Sequence, residues 1–317
     1  MVFIHQCRQL KGAPAMLLVS LAVADFLVCI IIVPSEVYLY NVEYNLGPFT
    51  CRIFAFLNQL VFTISSFTLT LISIERLYVI KHPFQARAVI TRRRARFMIV
   101  GSWLIAVLCS IPNAYRQEHM IHVQGIKQKA VCIPSTMQPW KKLNAIFDFL
   151  VKFTIPVLIM AISYSVAVVI LYKSTRQSEQ LQSMNMLNNK TRTNVATKTE
   201  ITDLTIKPIK SKAKKTKSEK HQDERNQTIV MLLIVVLLYF ITWGPFMVYQ
   251  LMRRFDVFGA HYYFHPRLIF TTLKMLGIGN SCINPFVYVF TLKSFRSTIT
   301  TTLCFHKGPN STKKRIV

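Results

Sequence analysis

Residues 227–252 carry no charged side chain, and neither do 53–74, 97–115, 153–172 or 275–292. These runs are 26, 22, 19, 20 and 18 residues long, and residues 12–35 form a further stretch interrupted only by Asp25. A helix needs about 20 predominantly apolar residues to cross the hydrocarbon of a bilayer. One or two such runs fit buried helices of a large soluble core; six do not. The chain reads as an all-α membrane protein with six spans, at residues 14–40, 53–80, 97–116, 143–172, 227–252 and 264–291. Composition agrees. Hydrophobic residues make up 52% and charged residues 16%, against about 25% charged in ordinary soluble domains.

A net charge of +26 raises the question of nucleic acid, and its placement answers it. Of the 39 Lys and Arg, 28 lie in residues 1–13, 76–96, 173–225 and 293–317. These are alternate connections and the tails, as the positive-inside rule requires of cytosolic segments. A nucleic-acid surface would gather the charge on one folded face, so nucleic acid is excluded as a partner. Contact with the anionic inner leaflet of the lipid bilayer remains. The loops 41–51, 116–142 and 253–266 then face outward, and six spans put both termini in the cytosol.

The loop 173–226 is rich in Lys, Thr, Asn, Gln and Ser and nearly free of aromatic residues. It cannot bury enough apolar surface to fold alone, and disorder is expected. Sequons at Asn189, Asn226 and Asn310 fall on the cytosolic side or its membrane edge and read as chance.

Four features carry the functional argument. The first is Asn280-Ser281-Cys282-Ile283-Asn284-Pro285-Phe286-Val287-Tyr288, which keeps a proline and two asparagines inside a span. The second is Glu75-Arg76 at the inner end of a span, 25 residues after Cys51, or about 37 Å of helix. The others are Trp243-Gly244-Pro245 within one span and Asp25 in the middle of another, where an unpaired carboxylate is expensive. Together these resemble the rhodopsin-like G-protein-coupled receptors from about residue 14 to residue 305. The resemblance implies a seven-transmembrane-helix bundle of which helices 2–7 are present. Residues 1–13 would be a cytosolic stub after a missing first helix. A short cytosolic amphipathic helix is expected at 293–303, and residues 306–317 would form a cytosolic tail.

The resemblance also assigns roles. Cys51 and Cys132 match the disulfide that pins the second outer loop over the ligand mouth. Asp25, Ser65, Asn280, Ser281 and Asn284 match a polar cage that holds an allosteric sodium ion at rest. Glu75, Arg76, Tyr164, Trp243, Pro245, Pro285 and Tyr288 match the activation switch. Arg76, Pro83 and Phe84 match the surface that meets a heterotrimeric G protein, and arrestin and receptor kinases follow as further partners. Cys304 matches a palmitoylation site. The departures are Leu77 for the usual tyrosine, Ser66 for a bulkier aliphatic residue and Tyr239 for phenylalanine. Arg225 stands where many members place an acid that locks the arginine, which points to raised basal activity.

The ligand is narrowed by exclusion. Ile278 stands where an opsin needs its Schiff-base lysine, so no retinal is expected. Asn58 stands where an amine receptor needs its aspartate. The outer half of the spans holds Glu36, Asn58, Gln59, Asp148, Lys152, Gln250 and Lys274, above Trp243. Asp148 and Lys152 are four apart on one helical face, so they can pair with each other, and Glu36 with Lys274 likewise between helices. This wide polar mouth, with a 27-residue outer loop, suits an extracellular peptide and resembles the neuropeptide branch. No enzymatic constellation, voltage-sensor arginine repeat, channel filter or transporter repeat appears. The resemblance implies a multi-pass protein of the plasma membrane. The alternative is a truncated, non-signalling form that retains or modulates intact receptors, for which endoplasmic-reticulum retention is expected.

Overall fold

The computed structural model describes residues 13–41, 47–115, 117–124, 127–134, 141–196, 217–257 and 266–291. Helix α1 is composite: Ala13–Leu27, a π turn at Val28–Ile32, then Val33–Asn41. Helix α2, Gly47–Lys81, is followed by the short α3, Pro83–Val89, and by α4, Arg92–Tyr115. Strands β1 (Gln117–Gln124) and β2 (Lys127–Pro134) come next. Helix α5 is again composite, with Lys141–Phe149, a π turn at Leu150–Thr154, and Ile155–Ala196. Helices α6 (Lys217–Arg254) and α7 (Pro266–Thr291) complete the described bundle.

Among the described residues, α1, α2, α4, α5 and α6 are long and apolar enough to cross a membrane. Helix α7 takes the sixth place, packed on α6 and on α1. It is the most polar of the six because it turns Asn280, Ser281 and Asn284 into the interior. The bundle is inside-out relative to a soluble protein. Phe97, Leu104, Leu108, Ile162, Ile241 and Phe286 lie exposed, whereas Asp25, Glu36, Ser65, Ser66, Lys152 and Asn284 are buried. Only a hydrocarbon surround makes that arrangement stable.

The two π turns have one cause. A proline supplies no N–H and its ring clashes with the carbonyl four residues back. Pro34 and Pro156 each follow a π turn, in which the backbone bonds skip one residue further. Val33 N–H reaches Val28 O, and Ile155 N–H reaches Leu150 O. The strain that proline brings is thus taken up just before it.

Two features differ from the sequence expectation. The loop 173–226, expected to be disordered, carries helix in both arms: α5 continues to Ala196 and α6 begins at Lys217. Neither arm holds a Gly or Pro, so helices nucleated in the membrane propagate outward through good helix formers. The second difference is the outer β-hairpin, in which β1 and β2 pair antiparallel with His119 opposite Cys132. Its sequence signal is two strand-forming runs around Gly125-Ile126. A disulfide between Cys51 and Cys132, with Cα atoms 5.7 Å apart, ties β2 to the outer end of α2. The expected amphipathic helix at 293–303, Cys304, the stub 1–12 and the tail lie outside the described residues.

Candidate functional site

The polar interior has three levels. At the outer end, Lys274 of α7 pairs with Glu36 of α1 at 2.5 Å. Asn58 of α2 donates from Nδ2 to Glu36 Oε1 at 3.1 Å, so three helices meet on one carboxylate. Across the bundle, Lys152 and Asp148 of α5 pair at 2.7 Å, with Lys152 0% exposed. Asn113 of α4 reaches Asp148 Oδ1 at 3.5 Å. The structure therefore brings Glu36, Asn58 and Lys274 together and holds Asp148 with Lys152 apart from them. Gln59 Oε1 is buried without a hydrogen-bond partner among the described residues, and Gln250 is half-buried.

At the middle level a small cavity of about 20 Å³ is lined by Asn58. Trp243 forms part of its wall with Phe62, Ser65, Ile278, Asn280 and Ser281. The indole packs on Phe62 with ring centroids 4.5 Å apart. It also lies flat against α7: a Cβ on Gly277 would come within 2.8 Å of its ring. Glycine at 277 is thus what lets α6 and α7 approach here. Below, Asn284 Nδ2 donates to Asp25 Oδ2 at 2.9 Å, with Ser281 beside the same carboxylate. Asp25 Oδ1, Ser65 Oγ, Asn280 Oδ1 and Asn284 Oδ1 are buried and lack a hydrogen-bond partner among the described residues.

At the inner end, Arg76 Nε lies 3.3 Å from Glu75 Oε2, and the Glu75 side chain is 4% exposed. Tyr164 of α5 is buried near this pair and Ser73. Beyond it, Pro83 opens α3 at the first helical turn, where its missing N–H costs nothing. Phe84 follows at 92% exposure, pointing away from the core.

The model of the 7 transmembrane receptor (rhodopsin family) matches residues 1–288. The chain belongs to that family. It is 23% identical over 309 residues to the mouse pyroglutamylated RF-amide peptide receptor, covering 95% of this chain and 65% of that receptor. Over 300 residues it is 29% identical to the human neuromedin-U receptor 1, covering 90% of this chain and 64% of the relative. The fruit-fly (Drosophila melanogaster) trissin receptor is 30% identical over 172 residues, which is 53% of this chain and 26% of that receptor. The chain thus spans less than two thirds of each of these relatives. The matched family and relatives are receptors rather than enzymes.

Within the rhodopsin family frame, the Cys51–Cys132 bond is where the resemblance put it. Pro285 and Tyr288 lie in α7, but their side chains are outside those described, as is that of Arg225. Sequence reasoning missed Asn113, Phe62 and Gly277. Asn113 had a weak signal, a polar residue after a proline at the end of a span. Gly277 had one in the pair Gly277 and Gly279 near the polar core. Phe62 had none, since nothing separates it from other apolar residues of α2.

Proposed function

We propose that the chain is a receptor for an extracellular peptide that promotes nucleotide exchange on a heterotrimeric G protein through outward movement of α6 about Pro245. The observation that carries this reading is the Glu75–Arg76 pair. It is an arginine held at 3.3 Å by a buried carboxylate at the inner end of the helix whose outer part presents Asn58. Release of Arg76 from Glu75 would offer its guanidinium to a partner at the inner face, beside the exposed Phe84. A ligand acts on this equilibrium only through its differential affinity for the two forms. A peptide is favoured by the polar outer level and by relatives that include a neuromedin-U receptor and RF-amide peptide receptors. The non-signalling alternative finds no support among these relatives and is not adopted.

Asp25, Ser65, Asn280, Ser281 and Asn284 fit a sodium ion, since a hard cation wants oxygen ligands and four of their buried oxygens lack a hydrogen-bond partner among the described residues. The ion would supply positive charge that stabilises an ionised Asp25 inside the membrane. The protein's own part is to present those oxygens from α1, α2 and α7 together. Residence in the plasma membrane, and recognition by arrestin and receptor kinases, belong to the same proposal.

Changing Arg76→Ala tests it. Agonist-driven nucleotide exchange should fall to background while peptide affinity stays within about threefold, because the guanidinium lies far from the outer level. Loss of both, or of neither, contradicts the assignment. A library of amidated and free-acid peptides, read by exchange on reconstituted G proteins, supplies the agonist.

A further inference from the structure

A larger hollow lies on the outside of the bundle. A groove of about 640 Å³ runs along the seam of α5 and α6, walled by Phe149, Phe153, Leu158, Ile241, Gly244 and Val248. The two helices run antiparallel here. Lys142 Nζ stands 5.6 Å from the centre of the Phe255 ring, and further along α5 the Phe153 ring centre lies 6.3 Å from that of Phe240. Gly244 makes the room between them. A Cβ there would meet Phe153 Cζ at 3.5 Å, an ordinary contact, so this glycine leaves a space rather than avoiding a clash. The hydroxyl of Thr154, the one polar side chain of the wall among the described residues, is donated to Phe149 O at 2.9 Å. Leu158, Ile241 and Val248 are exposed, so the groove opens away from the polar interior, toward hydrocarbon.

Depth and size restrict what fits. The groove begins at Phe149, about 10 Å of helix below Lys142, and ends at Leu158, about 13 Å deeper. That length suits the hydrocarbon of one leaflet, about 15 Å. A helix of a second chain, about 10 Å across, would need about 1,000 Å³ over the same length and would rest on the rim. At the outer ends of the two helices Lys142, Arg253 and Arg254 outnumber Asp256, which leaves positive charge at the depth of lipid phosphates. We propose that the groove binds one phospholipid of the surrounding bilayer, its phosphate beside Lys142 and an acyl chain along Phe153 and Gly244. Docking from lipid brings no hydrophobic gain, so selectivity comes from packing against the rings and from the attraction of phosphate to ammonium. The chain lies beside Pro245, about which α6 is proposed to move, and it stabilises the spacing of α5 and α6 seen here to the extent that it prefers it. The site does not depend on the receptor reading; its effect on nucleotide exchange does.

The test is photolabelling of the full chain in phosphatidylcholine nanodiscs that hold a small fraction of phosphatidylglycerol with a diazirine in its acyl chain. Adducts are mapped by mass spectrometry, and the exposed Leu104 and Leu108 of α4 report ordinary lipid contact. Labelling of 149–158 and 240–248 should exceed that of α4 about fivefold and saturate as the probe rises, while labelling of α4 grows in proportion. Lys142→Gln should lower labelling of the groove about fivefold, the effect of one cation near a lipid surface. Leu158→Trp combined with Val248→Trp fills the groove and should abolish it. In both variants labelling of α4 should stay as it was, which shows an intact bundle. Equal, unsaturable labelling of the two faces means ordinary boundary lipid and overturns the proposal. So does displacement of the probe by a sterol but not by unlabelled phosphatidylglycerol. Unlabelled phosphatidylglycerol should lower agonist-free exchange of the parent about threefold and leave the filled variant unaffected; a rise in the parent overturns the stabilising role. If the parent drives no exchange on any G protein while labelling behaves as described, the receptor reading fails and the lipid site stands.

Discussion

The π turns of α1 and α5 arise from the same local event, a proline two residues further on, yet they connect the bundle in opposite ways. In α1 the neighbouring serine repairs its own helix, Ser35 Oγ donating to Ile32 O at 2.8 Å, while the charge beside the turn reaches out. Glu36 pairs with Lys274 on α7 and accepts from Asn58 on α2. In α5 Lys152 pairs with Asp148 one turn back, Asn113 of α4 reaches the same carboxylate at 3.5 Å, and the backbone reaches α2. There the carbonyl of Lys152 accepts from Ser66 on α2. Identical irregularities in two helices therefore transmit through different groups. The α1 turn couples helices through a partly open ion pair. The α5 turn couples them through a closed hydrogen bond in the core.

This contrast can be broken step by step. The largest effect is expected from Lys152→Met, which leaves Asp148 without its cation in a largely closed interior. Bundle stability, read from unfolding in mixed micelles with increasing sodium dodecyl sulfate, should fall by about 3–5 kcal/mol. Adding Asp148→Asn should restore most of the loss. Failure of that rescue would mean the pair is not the source of the cost. Next comes Ser66→Ala at about 1 kcal/mol, since it removes the hydrogen bond that ties α2 to the Lys152 carbonyl of α5. Lys274→Met should cost only about 1 kcal/mol, because side chains exposed by 19% and 10% retain some contact with water. It should weaken peptide binding more than stability, which separates the α1 turn from the α5 turn in kind. Ser35→Ala is the smallest, about 0.5 kcal/mol, as donor and acceptor belong to one helix. A loss at Ser35 equal to that at Ser66 would erase the distinction.

Much of the molecule was legible as a string. Uncharged runs pointed to the helices that are long and apolar enough to cross a membrane, since lipid tolerates few other patterns. The contact of Asp25 with Asn284 lies within the set of polar residues that the resemblance named. The pairing of Asp148 with Lys152 followed from helical spacing alone, because partners four residues apart share a face. What spacing could not say was which of the outer polar residues meet. Asn58 and Gln59 are adjacent in sequence and both polar, yet Asn58 bonds Glu36 while Gln59 Oε1 is buried without a hydrogen-bond partner among the described residues. The prolonged helices on both sides of 197–216 were missed because a polar composition was read as disorder. Composition reports the lack of a core, not the helix that a membrane-anchored neighbour can extend.

The sequence by itself determined that this chain is a multi-pass membrane protein and to which family it belongs. Those follow from hydropathy, charge placement and motif, all properties of one chain segment at a time. Only the tertiary structure decided that Lys152 is sealed off, that Gly277 admits the Trp243 indole, and that Ser66 serves a carbonyl 86 residues away. Each depends on the rotation and depth of two helices relative to one another. That relation is fixed by the packing of many side chains at once and is written in no single stretch of sequence.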